Sequence, residues 1–219
     1  MAPTQTTRVD RREAILVAAL HVFGRDGFSD GNLDDVARLA GVAKPTVYNH
    51  FGDKQSLFAA TVARASAQAN ERVLGVVGSL DLHPLDLRHE LERLGRALVG
   101  CVSSEDGAAL MRLMFGERSR FPELLDGIRN GNRAATVDAL AGRLAQLATA
   151  GYLTLGDAQR AARQFMSLVT DDALSDSGFG GRTLGADELE ETVRAGVDTF
   201  LAAFGAAPEP RGGTARRPG

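Results

Sequence analysis

The sequence has very few of the residues that build disulfide frameworks and metal centres. Its 219 residues include one cysteine, Cys101, and four histidines. The histidines lack the i, i+4 spacing that would place two metal ligands on one helix face. A single cysteine excludes an internal disulfide and fits a reducing compartment. We therefore predict no metal site and no cofactor, and we interpret Cys101 as a small core residue on a helix.

Long apolar runs and common catalytic motifs are absent as well. Arg, Asp or Gly interrupts every apolar stretch well before the roughly 20 residues of a membrane span, and residues 1–10 contain no apolar signal core. The sequence has no phosphate-binding glycine loop ahead of a lysine, no zinc-binding cysteine pair and no Gly-x-Ser-x-Gly turn. We expect a cytoplasmic protein that has no membrane contact and is not an enzyme.

An excess of basic charge is also missing. The net charge is −3, and residues 1–60 hold seven Arg or Lys and seven Asp or Glu. Because binding to phosphates requires local positive charge, this balance argues against a general nucleic-acid coat. DNA binding would have to rely on a few placed cations in a dimer. The candidate cations are Arg8, Arg11, Arg12, Lys44 and Lys54.

A helix-turn-helix pattern is present at residues 32–51. Asn32 is a favourable N-cap for the first helix, and Gly41 is the residue type that ends a helix in the left-handed conformation. After the turn, Val47 and Phe51 repeat at helical spacing and can pack inward. The apolar stripe of the first helix consists of Leu33, Val36, Ala37 and Ala40.

The outer face of the second helix is polar. Its side chains can donate to phosphate oxygens or base edges, and Pro45 is tolerated because it lies in the first turn. An ordinary surface helix would carry similar residues. This face alone therefore fits both a DNA-binding helix and a surface helix without that function. The face consists of Lys44, Pro45, Thr46, Tyr48 and Asn49.

The order of residues between Val9 and Ala69 resembles the tetracycline-repressor (TetR) family of transcriptional regulators. The resemblance rests on Gly27-Phe28, Asn32-Leu33, Asp35-Val36-Ala37, Ala40-Gly41-Val42, Thr46 to Phe51, Lys54 and Leu57-Phe58. A weaker resemblance to the AefR-like subgroup covers residues 111–115, 120–124 and 161–165. The family resemblance implies an all-α protein. It would have an N-terminal three-helix helix-turn-helix DNA-binding domain and a C-terminal helical ligand-binding and dimerisation domain.

The resemblance also implies roles for individual residues. Residues 44–50 would form the recognition helix. Tyr48, His50 and Lys54 match positions that contact phosphates or orient the helix over them. Base-edge candidates are Lys44, Pro45, Thr46 and Asn49, and Asn32 completes the set of expected DNA-binding residues.

Two departures from the family pattern affect this site. Gly31 and Asn32 stand where the family usually has Thr followed by Ser or Thr, so one phosphate-binding hydroxyl is missing. Ala43 replaces the usual Ser or Thr before the recognition helix, which removes a side-chain cap worth about 1 kcal/mol.

We divide the chain into four regions. Residues 1–8 are expected to form a flexible arm, and residues 9–69 the DNA-binding domain. Residues 70–204 would bind the effector and dimerise, and residues 205–219 would be a disordered tail rich in Pro, Gly and Arg. Within the third region, a helix from about residue 121 to 150 contains Asn130-Gly131-Asn132, which favours a kink.

Two apolar helix faces near the C-terminus are assigned to a four-helix bundle with a second copy, as the resemblance implies. The alternative is that they cover the core of their own chain. The interface candidates are Phe165, Val169, Val193, Val197, Phe200, Leu201 and Phe204. Pliable and aromatic side chains also suggest a pocket for an apolar effector, although core packing explains the same residues and is the simpler interpretation of any one of them. The pocket candidates are Met111, Met114, Phe115, Phe165 and Met166.

These observations predict a DNA-binding transcriptional regulator. We expect a repressor that binds a palindromic double-stranded DNA operator as a homodimer and is released by a small, apolar effector. Two alternatives stay open at this point. One is a helical adaptor that binds protein partners, and the other is a regulator without a small-molecule effector.

Overall fold

The computed structural model describes residues 5–206 and contains nine α-helices within that range, which confirms the all-α class. The helices are α1 (Gln5–Asp30), α2 (Leu33–Leu39), α3 (Lys44–Phe51), α4 (Lys54–Gly78), α5 (Leu87–Ser103), α6 (Glu105–Gly116), α7 (Pro122–Thr149), α8 (Ala158–Asp176) and α9 (Ala186–Phe204). An isolated β-bridge joins Leu153 to Gly205. No helix in this range has the length and hydropathy needed to cross a membrane.

The predicted arm and tail fall mostly on residues 1–4 and 207–219, outside the described residues. The arm prediction is wrong for residues 5–8, because they extend the first helix by four residues. The tail prediction is wrong for Gly205 and Ala206, because the chain is still paired there. The amide of Ala206 donates to the carbonyl of Tyr152 at 3.1 Å, and the amide of Thr154 donates to the carbonyl of Phe204 at 2.8 Å.

A first hydrophobic core joins α1–α4 to α6 and the start of α7. It includes the buried rings of Phe23 and Phe58, against which the half-buried rings of Phe28 and Phe121 pack. The ring centroids of Phe58 and Phe121 lie 4.7 Å apart, and those of Phe28 and Phe121 lie 4.9 Å apart. The core of the helix-turn-helix region therefore continues past residue 69 into helices of the C-terminal half.

The contact between α1 and α6 is close because a glycine lies in it. A Cβ placed on Gly24 would come within 2.7 Å of the Cβ of Ala109, so only glycine allows this approach. Further along α1, Gly27 has φ +74° and interrupts the helical geometry. The amide of Phe28 then donates to the carboxylate of Glu117 at 2.8 Å, which ties the end of α1 to the end of α6.

A second core is formed by α5, α7, α8 and α9 with the end of α4. Leu91, Leu94 and Leu98 on α5 are buried in it. A Cβ on Gly196 would lie 2.3 Å from the carbonyl oxygen of Leu168, so α8 and α9 pack closely at that glycine. Helix α7 runs without interruption through Asn130–Asn132, where the sequence favours a kink.

Most of the predicted dimer contacts lie in this second core. The prediction is wrong for five of the residues, because a side chain with no accessible surface in the single chain cannot contact a partner. Amphipathicity identifies the apolar face of a helix, and here that face is covered by the helix's own chain. The five residues are Phe165, Val169, Val193, Val197 and Phe200, and the half-buried Leu201 and Phe204 pack against the same core.

We expect Phe200→Ala to lower the free energy of unfolding by about 3–5 kcal/mol, since it would leave a cavity in a close-packed core. The ring of Phe200 lies 5.1 Å from that of Phe165 and 4.9 Å from that of Phe204. Urea denaturation followed by circular dichroism at one fixed protein concentration measures the change.

Thr149→Ala is the control, because Thr149 is exposed at the end of α7, away from α8 and α9. It should change the free energy of unfolding by no more than about 0.5 kcal/mol. If Phe200→Ala instead left the free energy of unfolding unchanged and weakened self-association, Phe200 would be a dimer contact.

Candidate functional site

The turn between α2 and α3 is built by local capping. The side-chain oxygen of Asn32 accepts a hydrogen bond from the amide of Asp34 at 2.9 Å, as expected of an N-cap. Gly41 follows the helix with φ +64°. The amide of Val42 donates to the carbonyl of Ala37 at 3.0 Å, which closes the end of α2. These contacts fix the direction in which α3 leaves the turn.

Helix α3 presents the polar face that the sequence predicts. Val47 is buried and Phe51 half-buried on its inner side. Ala43 makes no side-chain capping bond, and Pro45 lies in the first turn. On the outer side, Lys44, Pro45, Tyr48 and Asn49 are exposed, and Thr46 and His50 are half-buried.

A carboxylate that the sequence analysis did not include in the site holds the first residue of α3. The Nζ of Lys44 lies 3.0 Å from Oδ2 of Asp34, and both side chains are exposed. This hydrogen bond raises the pKa of the Lys44 ammonium, so the group stays charged. Asp34 follows Asn32 by two residues, and the compact turn brings it against α3. No sequence pattern pairs residues ten positions apart across a turn.

The corner between α1 and α2 carries two more cations. The Nζ of Lys54 donates to the carbonyl of Ser29 at 2.8 Å and lies 5.1 Å from the centre of the Phe28 ring. The Arg120 guanidinium also lies 5.1 Å from that ring and donates to the Ser29 hydroxyl at 2.6 Å. Arg120 comes from the α6–α7 connection, and the sequence analysis missed it because it is distant along the chain.

The predicted N-terminal cations lie near the same surface. The Arg12 guanidinium is 5.3 Å from the centre of the Phe51 ring. Arg11 lines a small cleft together with Gly41, Ala43 and Thr46, at the start of α3. The side chain of Arg8 lies outside the described part of the chain. Arg11 and Arg12 thus add positive charge next to the exposed face of α3.

An apolar cavity of about 210 Å³ lies between α4, α6 and α7. Three of the five candidate pocket residues, Met111, Met114 and Met166, line it. The other two, Phe115 and Phe165, do not. Phe115 is exposed and its ring lies 4.3 Å from that of Phe179, while Phe165 is turned into the second core.

Polar groups lie at one side of this cavity. Its lining includes Asn70 on α4 and Asn132 and Thr136 on α7. The Asn132 amide donates to the carbonyl of Ser66 at 3.3 Å, so α4 and α7 are joined beside the cavity. Cys101 also lines it, and burial raises the pKa of the Cys101 thiol, which keeps the group protonated.

Two family models match the chain over these regions. Residues 15–61, which include the whole exposed face of α3, match the model described as bacterial regulatory proteins of the tetR family. Residues 89–206, more than half of the chain, match the C-terminal domain of AefR-like transcriptional repressors. The chain belongs to the TetR family. This agrees with the resemblance drawn from the sequence, and family members are transcriptional regulators and not enzymes.

Individual relatives agree with the family assignment. The HTH-type transcriptional regulator AcrR of Shigella flexneri is 30% identical over 112 residues, and this region spans 51% of each chain. A TetR-family transcriptional regulator of Mesorhizobium loti has a crystal structure that superposes with a TM-score of 0.81 at 26% identity. That match covers 93% of this chain and 100% of the other. The flavonoid-responsive regulator FrrA gives a TM-score of 0.61 at 28% identity, covering 92% and 98%.

We expect Asp34→Asn to raise the affinity for non-specific duplex DNA by roughly 3- to 10-fold at low salt. The change frees the Lys44 ammonium and removes a negative charge near the expected phosphates, so about one more counterion is released on binding. Fluorescence anisotropy with a labelled random-sequence duplex, titrated at several NaCl concentrations, measures affinity and salt slope.

Glu71→Gln makes the same change in net charge on the exposed surface of α4 and is the control. Its affinity should stay close to that of the wild type. Equal increases in both variants would show that overall charge, and not the Asp34–Lys44 pair, sets non-specific binding.

Proposed function

We propose that this TetR-family protein is a transcriptional repressor that binds a palindromic operator as a homodimer and is released by a small apolar molecule. The observation that carries the proposal is the exposed polar face of α3, held outward by the buried Val47 on its opposite side. In this proposal residues 9–69 read the DNA, and residues 70–204 provide the effector site and the dimer contacts.

Helix α3 would enter the major groove with its N-terminal turn toward the bases. Lys44, Thr46 and Asn49 carry the donors and acceptors that distinguish base edges, and the ring of Pro45 offers an apolar contact. Tyr48, His50 and Lys54 would contact phosphates or orient the helix over them. Asn32 uses its oxygen for the α2 cap, and its amide NH₂ group can donate to a phosphate.

The proposed dimer uses the outer faces of α8 and α9, because their inner faces are buried in the single chain. Arg163 and Gln164 are exposed on α8, and Glu191 and Ala195 are exposed on α9. A two-fold axis that places α8 against the partner's α9 would bring basic residues opposite acidic ones twice. Small side chains such as Ala195 allow the helices to approach closely.

The proposed effector site is the apolar cavity between α4, α6 and α7. Helix α4 lines it through Ala69, Asn70 and Val73, and the same helix begins at Lys54, next to the recognition helix. A ligand that separates α4 from α7 would move the start of α4 and change the spacing of the two recognition helices. DNA is released when that spacing no longer fits the half-sites. The similarity to FrrA, named as flavonoid-responsive, supports an apolar aromatic ligand.

We expect Lys44→Ala and Tyr48→Ala each to weaken operator binding by about 10- to 100-fold, because each removes a contact worth about 1–3 kcal/mol. The operator is first selected by the purified wild-type protein from a random pool of duplexes. Gel-shift titration with that duplex then measures affinity, and circular dichroism and light scattering check helicity and mass.

Arg72→Ala removes a charge from an exposed site on α4 and is the control, expected to bind normally. Normal binding by both Lys44→Ala and Tyr48→Ala would refute the recognition-helix assignment. If the wild type selects no duplex at low salt while its dimer is intact, the regulator function itself is refuted and a protein-binding adaptor is favoured.

For the cavity we expect N-phenyl-1-naphthylamine, an uncharged dye that fluoresces in apolar surroundings, to bind the wild type. Ala69→Leu fills part of the cavity and should weaken dye binding by at least about tenfold, since added methylenes have no space in an occupied site. Fluorescence titration measures the affinity, and a gel shift shows whether Ala69→Leu still binds the operator.

Ala145→Leu adds the same bulk at an exposed position on α7 outside the cavity and serves as the control. Equal dye binding by Ala69→Leu and the wild type would contradict the effector site. A dye that binds the cavity without any change in operator affinity would favour a regulator that lacks a small-molecule effector.

A further inference from the structure

A second cavity, of about 340 Å³, lies on the other side of α6 from the apolar one. We call it the Arg112 cavity. Its walls come from the end of α5, from α6, from the end of α8 and from the connection between α8 and α9. Neither the family assignment nor the proposed function gives it a role.

Arg112 on α6 supplies the main polar group of this cavity. Its Nε donates to the carbonyl of Gly24 at 2.6 Å, and its Nη1 donates to the carbonyl of Gly180 at 2.5 Å. These bonds use two of the five N–H donors of a guanidinium. Among residues 5–206, no carboxylate lies within ion-pair distance of Arg112. The guanidinium is fixed in position and its charge is not neutralised by an ion pair.

Of the two other charged residues of the lining, Arg182 is paired with a carboxylate and Glu105 points largely into solvent. Arg182 donates to the carboxylate of Glu188 at 3.0 Å and to the carbonyl of Asp176 at 2.9 Å. The carboxylate of Glu105 lies 3.7 Å from Nδ1 of His21, and its side chain is 86% exposed. Arg112 is therefore the group that offers an unbalanced positive charge to an incoming ligand.

The rest of the wall is partly apolar and partly polar. Val99, Ala173, Leu174 and Leu184 contribute apolar surface. The other lining residues include four with hydroxyls, Ser103, Thr170, Ser177 and Thr183, and the hydroxyls of Ser177 and Thr170 donate to the carbonyls of Leu174 and Met166. An apolar body with one anionic end matches the apolar part of the wall and the guanidinium.

We propose that the Arg112 cavity is a second small-molecule site, which binds a carboxylate with a short apolar body through the Arg112 guanidinium. The proposal goes beyond the apolar effector site of the proposed function, and its test needs no DNA. A failure to bind an operator would therefore not refute this proposal. A failure to bind carboxylates would likewise not refute the proposed function.

The two cavities share part of their walls. Val102 and Met111 line both of them, so a ligand in one cavity changes the packing seen by a ligand in the other. Arg112 also holds the carbonyl of Gly24 in α1. A carboxylate that binds Arg112 therefore acts on a group that connects the cavity to the helix-turn-helix region.

The test uses hexanoate and its neutral isostere hexanamide. The chain contains no tryptophan, so Thr183→Trp, at an exposed position in the cavity lining, provides a single fluorescent reporter. We expect hexanoate to change the emission of this introduced tryptophan with an affinity at least about tenfold higher than that of hexanamide, because only the carboxylate can pair with the guanidinium. Ligand-observed NMR on the wild-type chain checks that the reporter does not create the site.

Variants of Arg112 test whether its guanidinium binds the carboxylate. In the Thr183→Trp background, Arg112→Gln should remove the preference for hexanoate, and Arg112→Lys should keep part of it, because the charge remains without the fork of donors. Arg72→Gln, an exposed arginine outside the cavity, should change nothing. Circular dichroism confirms that each variant is folded.

Three results would overturn the proposal. The first is equal affinity for hexanoate and hexanamide, and the second is an unchanged preference in Arg112→Gln. The third is hexanoate binding seen by NMR with no change in the emission of the introduced tryptophan, which would place the ligand elsewhere, for example in the apolar cavity.

Discussion

Helix α6 lies directly on helix α1, and the rest of the structure depends on this contact. Gly24 allows the two backbones to approach, Arg112 donates to the carbonyl of Gly24, and Glu117 accepts from the amide of Phe28. Phe23 and Phe58 are fully buried and contribute about 1.5–3 kcal/mol each, and the half-buried rings of Phe28 and Phe121 pack against them. The helix-turn-helix region is thus not an independent unit attached by a linker, because its core is completed by helices that also line the cavities.

The surface expected to face DNA relies on a few positively charged side chains. With a net charge of −3, the chain cannot rely on a general attraction to phosphates. The placed cations are instead held by neighbours: Lys44 by Asp34, Lys54 by the carbonyl of Ser29, and Arg12 over the ring of Phe51. Holding a cation in place lowers the entropy cost of a specific contact, and pairing it with a carboxylate lowers its attraction to any phosphate. Both effects favour specificity over affinity.

The sequence could predict the features that depend on near neighbours. Helical periodicity located α2 and α3, and the chemistry of Asn32 and Gly41 predicted how α2 begins and ends. The errors concern what an apolar face packs against. An apolar side chain at Phe200 suits both a dimer contact and a contact within the chain's own core. Only the three-dimensional arrangement shows that α5 and α8 cover it. Contacts between distant residues, such as that of Arg112 with Gly24, leave no periodic signal and could not be predicted.

Two different helices connect the cavities to α3, the proposed recognition helix. The apolar cavity borders α4, whose first turn follows α3 directly, so a ligand there would act at the C-terminal end of α3. The Arg112 cavity borders α6, which holds α1, and α1 packs against α2. A ligand in that cavity would therefore act on the helix-turn-helix through α1. Because Val102 and Met111 line both cavities, a ligand in one would meet the packing set by a ligand in the other. The two proposed sites would thus reach α3 through different helices while sharing one wall.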